Sequence, residues 1–284
     1  MNVADRVPGL DHSVTTSTYA TWHFDEVELR SFLLTSVEGM KAWFQSKELE
    51  AEKAVELLDP EETYGDEAFN HFMVGVGIFS EPYWNHLAAA VIKDAFTLFE
   101  VFLEESADRL LHGYRSGLKN LSSENTWLIR DCNRFYEDYL GFPILTADVE
   151  DIQWIRNKLS HLRDSLRTEQ GQKEFSERLK RLGVGKDETE EEQVLRLPHH
   201  EFGRKLAFSK PLVLSPLEAW RIVGILRAHV EQLTVVLHSI QYGGQTTEAL
   251  EALREGSPVR TGSKGDVRFL HIPEVETIDM IPQQ

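Results

Sequence analysis

One stretch of sequence dictates most of what this chain can fold into. Between residues 83 and 115, Ile92, Phe96, Phe99, Leu103, Ala107, Leu110 and Tyr114 recur at spacings of three and four. Val91, Ala95, Leu98 and Phe102 form a second stripe beside the first. At 3.6 residues per turn the two stripes merge into one broad apolar face. A helix with so wide a face belongs at the centre of a bundle, so the rest of the sequence must supply its covers.

Candidate covers lie on both sides. Residues 25–58 read as a long charged helix with Leu29, Leu33, Val37, Met40 and Phe44 on one side, and "DPEETYGD" (59–66) breaks it. After "GLKNLSSEN", Ser122 or Ser123 is placed to cap a helix running through Tyr139, which "GFPIL" ends. Thr146 is placed to cap the next helix, whose first turn carries Asp148 and Glu150, where the helix dipole favours negative charge. A short basic helix follows at 171–182. "SPLE" (215–218) combines Ser at the cap, Pro at the first helical position and Glu two positions further on. The helix it opens carries Leu226, Val230, Leu233, Leu237 and Ile240 and stops at Gly243–Gly244.

The expected fold is all-α: an N-terminal segment (1–82) with a long helix packing on the bundle, a helical domain (83–242), and a flexible, polar tail (243–284). Within the domain, about 183–214 departs from the helical pattern. The segments "VLRL" and "KPLVL", flanking "PHHEFGRKLAF", suggest a small β-hairpin insert.

Charge narrows the functional classes. The net charge of −17 argues against a broad, nonspecific grip on nucleic acid. Its distribution is uneven: residues 25–66 hold twelve acidic and four basic side chains, whereas 153–182 hold eight basic and four acidic. A local basic strip on an acidic body can accept a phosphate in one place and repel it elsewhere. The single cysteine, Cys132, cannot form an internal disulfide, and residues 1–24 lack the pattern of a signal peptide. No apolar run approaches the ~20 residues that span a bilayer. The expectation is a soluble, cytoplasmic protein.

The basic strip contains "WIRNKLSH" (154–161). On that helix Ile152, Ile155, Leu159, Leu162 and Leu166 define the core face. Asn157 falls roughly opposite this stripe and His161 about 140° from its centre, stacked one turn apart. Arg156 lies on the flank, from which its long side chain can reach the same patch. The patch joins a proton carrier that titrates near neutrality, a permanent forked cation suited to phosphate oxygens, and an amide able to orient either. Strand cleavage by a ribose 2′-hydroxyl needs that combination, because one group moves a proton while another stabilises extra negative charge on phosphorus.

"ADVEDIQWIRNKLSH" resembles the signature helix of HEPN domains (higher eukaryotes and prokaryotes nucleotide-binding). Their motif is Arg, a polar residue often Asn, three variable positions, then His. Arg156, Asn157 and His161 match its three fixed positions. The upstream "HLAAAVIKDAFTLFEVFLEESADRLL", with Glu100 inside an aromatic stripe, resembles the first core helix of such domains, and the likeness covers roughly 83–242. It implies a HEPN-like bundle acting as a metal-independent ribonuclease, with two motif helices facing across a homodimer. Arg156 would stabilise the phosphorane-like transition state, His161 would act in proton transfer or polarise the 2′-hydroxyl, and Asn157 would orient them. Lys158, Arg163 and Arg167 would contact RNA phosphates. The products would carry 2′,3′-cyclic phosphates, and no cofactor or metal would be used. Membership would also imply a toxin or antiviral effector with a protein regulator or antitoxin. Arg163 stands where some toxin members carry a Tyr modified by a nucleotidyltransferase antitoxin, so control by that route is not expected. The alternative is a catalytically silent helical adaptor or nucleotide-binding dimer.

Rival chemistry is thin. His199, His200 and Glu201 adjoin one another, but neighbours on a strand point to opposite faces and no further ligand pattern accompanies them. "GVGIFS" and "GVGK" lack phosphate-loop spacing. Trp84, Trp127, Trp154 and Trp220 are most simply core and interface residues.

Overall fold

The computed structural model describes residues 8–58, 61, 63, 80–111, 129–161, 166, 168–184, 190–195 and 214–254. Among these the fold is all-α, with seven α-helices, two 3₁₀ turns and no strand. The α-helices are α1 (Ser17–Leu58), α2 (Ser80–Leu111), α3 (Ile129–Leu140), α4 (Ala147–His161), α5 (Glu169–Arg181), α6 (Pro216–Gln241) and α7 (Glu248–Arg254). None of the described helices is long and apolar enough to cross a membrane.

The broad face of α2 is buried as its pattern requires: Val91, Ile92, Ala95, Phe96, Phe99, Phe102, Leu103, Ala107 and Leu110 are all inside. Leu33, Val37 and Phe44 of α1 are also inside, whereas Leu29 and Met40 stay half-buried at the edge of their stripe. Helix α1 begins eight residues earlier than its apolar pattern alone indicates. Thr16 supplies the start, its Oγ1 accepting from Tyr19 N at 3.1 Å and its carbonyl from Ala20 N at 3.0 Å.

The chain divides into two compact units, and α1, α2, α4 and α6 contribute residues to both. The first draws on residues 1–26, 95–153 and 224–284. Here Trp22 packs edge-on against Phe102 with centroids 6.1 Å apart, and Arg109 donates to Ser17 Oγ at 2.6 Å, so the start of α1 runs antiparallel to the end of α2. Tyr136 on α3 donates its hydroxyl to the Leu103 carbonyl at 2.6 Å. Helix α3 ends at Gly141, whose φ of 69° lets Phe142 N return to the Tyr136 carbonyl at 3.0 Å.

A buried ionic cluster joins three parts of this unit. Arg227 on α6 donates to Glu26 Oε2 at 3.0 Å, to Glu231 Oε1 at 2.7 Å and to the Pro8 carbonyl. Tyr19 donates to Glu231 at 3.2 Å and accepts from Leu10 N at 3.0 Å. Burial pushes the Tyr19 phenol up to about 12, with Glu231 adding to the rise and the Leu10 amide opposing it.

The first unit also includes α7, within the stretch expected to be a loose tail. Leu250 is completely buried, and Thr247 caps α7 while its hydroxyl donates to the Tyr139 carbonyl of α3. Two leucines, Leu250 and Leu253, on a seven-residue helix make too short a period to read from sequence. Residues 255–284 lie outside the described residues.

The second unit draws on residues 27–94 and 154–223. Phe44 and Trp84 pack with centroids 6.4 Å apart. The capping box at Ser215 forms as expected, with Glu218 accepting from Ser215 N at 2.7 Å and Ser215 Oγ accepting from Glu218 N at 3.2 Å. Burial raises the Glu218 carboxyl above its usual range despite those bonds. The expected hairpin is corrected where it can be seen. Val194 and Leu195, at the head of the first anticipated strand, belong to a 3₁₀ turn over Glu190–Leu195. The cause is tertiary: Arg221 grips Glu192 through two bonds of 2.9 and 2.8 Å while donating to the Val184 carbonyl at 2.8 Å, and Leu195 is buried. The rest of both expected strands lies outside the described residues, apart from Leu214, which is not in a strand.

Candidate functional site

The motif helix is fixed from its beginning. Thr146 Oγ1 accepts from Val149 N at 3.4 Å and its carbonyl accepts from Glu150 N at 2.9 Å, so α4 starts where its cap and acidic first turn place it. The same hydroxyl lies 3.3 Å from Nε2 of His229 on α6. A hydroxyl can give its proton to Nε2 or accept one from it, so the imidazole tautomer sets the direction of this contact. Burial lowers the His229 pKa below its ordinary value, against a smaller opposing effect from Asp148. Just upstream, Asn133 Oδ1 accepts from Ile144 N and Leu145 N, both at 2.7 Å, and so holds the connection into α4.

Along α4, Val149, Ile152, Ile155 and Leu159 are buried, which leaves Arg156 and Asn157 half-exposed. Arg156 donates from Nη1 to Asn157 Oδ1 at 3.0 Å. Neighbours in sequence project about 100° apart on a helix, so this bond pulls the guanidinium round toward the Asn157 face. His161 is the last residue of α4. Its side chain, together with Arg163 and Arg167, lies outside the described residues. The structure therefore brings together Arg156 and Asn157, and supplies the backbone register that puts His161 one turn beyond Asn157.

Lys158 is engaged with an aromatic ring. Its ammonium lies 5.1 Å from the Trp154 ring centroid, and the Arg178 guanidinium from α5 lies 4.4 Å from the same centroid. Phe175 packs against that ring at 6.3 Å. Arg178 also pairs with Glu174 at 3.0 Å. Cations over an indole face are attracted by its quadrupole, so Trp154 gathers positive charge beside the motif. The sequence counts Arg178 only among the eight basic residues of 153–182; its spacing of three from buried Phe175 places it at the edge of the α5 core face.

Other candidates have plainer roles. Glu100 is half-buried on α2, and Cys132 is a buried free thiol. Trp84 is buried, and half-buried Trp220 carries the Arg30 guanidinium 4.2 Å from its ring centroid. Trp127, His199, His200 and Glu201 lie outside the described residues. Among the described residues no three His, Cys, Asp or Glu side chains are grouped so as to hold a metal ion.

No protein-family model, no curated protein and no solved structure matches this chain.

Proposed function

We propose that this chain is a HEPN-type, metal-independent RNA endonuclease that acts as a homodimer, with α4 of each copy contributing to a composite site. The observation that carries the reading is the 3.0 Å bond from Arg156 to Asn157 on the half-exposed side of α4, one turn before His161. In the reaction a ribose 2′-oxygen attacks the adjacent phosphorus while its proton passes to a base. The bond from phosphorus to the 5′-oxygen breaks, that oxygen takes a proton, and a 2′,3′-cyclic phosphate remains. His161 serves proton transfer, and Arg156 faces the extra negative charge on the phosphoryl oxygens. Asn157 holds the guanidinium in one orientation, which lowers the ordering cost of binding. Lys158, Arg163 and Arg167 contact flanking phosphates. A role as toxin or antiviral effector under a protein regulator belongs to the same proposal.

The test is incubation of the full chain with labelled single-stranded RNA and transfer RNA in EDTA. Cleavage that leaves cyclic phosphate ends, reduced about a hundredfold or more by Arg156→Ala and by His161→Ala, supports the reading. A folded, dimeric wild type that is inert on every RNA overturns it. In that case the net charge of −17, which disfavours RNA, supports the second reading: a catalytically silent adaptor that binds protein through the same helix.

A further inference from the structure

We infer that the outer face of α1 is a self-association surface on which a second copy of this chain docks its own α1 antiparallel. This goes beyond the ribonuclease proposal and does not depend on it. Between Leu29 and Ser46, one face of α1 carries no charge. Within about 50° of the line through Phe32 and Trp43 lie Leu29, Phe32, Ser36, Gly39, Trp43 and Ser46. Phe32 is 51% exposed and Trp43 42% exposed, large values for aromatic side chains on a soluble helix. The Trp43 ring meets Phe44 edge-on at 5.4 Å, which limits the orientations it can take.

Gly39 points to the same conclusion independently. Glycine weakens a helix interior, yet a Cβ placed there would meet no atom within 4 Å. Among the described residues, nothing in the chain's own packing needs that position bare. A second helix crossing at Gly39 does, because a missing side chain lets two backbones approach.

Charge selects both the occupant and its direction. Run antiparallel about the midpoint between residues 37 and 38, Phe32 faces Trp43 of the second copy and Ser36 faces its Gly39. The same register sets Glu28 against Lys47 of the second copy, and two-fold symmetry doubles every pair. A parallel arrangement would set Glu28 against Glu28 and Lys47 against Lys47. Lys47 already lies 2.5 Å from Glu50 of its own helix, and an ammonium has donors for a second carboxylate. Asp25 would face Glu50 of the second copy at roughly 19 Å from the crossing point against roughly 14 Å for Glu28 and Lys47, so that like-charged pair opposes the register more weakly.

The experiment is the mass of the full chain by light scattering over micromolar concentrations, for wild type and two kinds of variant. Gly39→Leu raises helix propensity and its Cβ meets no atom within 4 Å, but the added side chain bars the close approach. It is expected to keep its helical circular dichroism while halving the associated mass. Glu28→Lys and Lys47→Glu are each expected to weaken association by roughly threefold to thirtyfold, and the combined variant to recover to within about threefold of wild type. Equal masses for wild type and Gly39→Leu overturn the proposal, as does a combined swap no tighter than either single one. Because the comparison is a ratio of masses, a dimer formed through α4 doubles both values and leaves the ratio unchanged. RNA cleavage is not part of the readout, so either reading can fail without the other.

Discussion

Two regions use charged groups differently, the Arg227 cluster of the first unit and the Trp154 ring of the second. The first buries them. Arg227 and Glu26 are 8% and 1% exposed, and the cluster they form with Glu231 and Tyr19 reaches the main chain at Pro8 and Leu10. The second draws two half-exposed cations over one ring, Arg178 and Lys158 on Trp154, although the same unit also buries Arg30, 3% exposed, against Trp220. Removing one member of a buried cluster strands the others without water, whereas a surface cation leaves solvent to take its place.

The largest effect should come from Arg227→Met. It leaves Glu26 and Glu231 facing one another with no cation between them, and should cost about 3 to 5 kcal/mol in urea denaturation. A loss below about 1 kcal/mol would mean that the cluster is solvated and the contrast false. Arg178→Met should cost only about 1 kcal/mol, the loss of one cation over a ring and one surface pair. If it proved the more damaging of the two, the comparison would be reversed. The smallest effect concerns pH. His229 titrates below its ordinary value in the folded state, so its contribution is present above about pH 6.5 and is lost as pH falls from there toward the lower, folded value. Between pH 7.5 and 5.5 wild type should therefore lose slightly more stability than His229→Gln, by less than about 1 kcal/mol. Identical losses would show that burial does not hold the folded imidazole below its ordinary value.

The helices were largely legible in the sequence, and the reasons are local. The double stripe of α2, the cap at Thr146, the capping box at Ser215 and the glycine stop after α6 each depend on residues within a turn or two of one another. What escaped depends on distant partners. Glu190–Leu195 reads as the approach to a strand until Arg221 is seen holding Glu192, and α7 acquires its helix through Tyr139, 108 residues away. The candidate site divides in the same way. The positions of Arg156, Asn157 and His161 on one helix follow from spacing alone, while the Arg156–Asn157 bond and the Arg178 guanidinium over Trp154 required side-chain placement in three dimensions.

The bond from Tyr19 to Glu231 spans 212 residues of chain. On a ribosome adding about 5 to 20 residues per second, α1 emerges roughly 10 to 40 s before the residue that completes its buried cluster exists. During that interval Glu26 has no Arg227, Trp22 waits for Phe102, and the first unit cannot close. Every nascent chain therefore passes through a period in which the aromatic side of α1 is available to neighbours on the same messenger. Order of synthesis, as much as final contact energy, decides what that helix meets first.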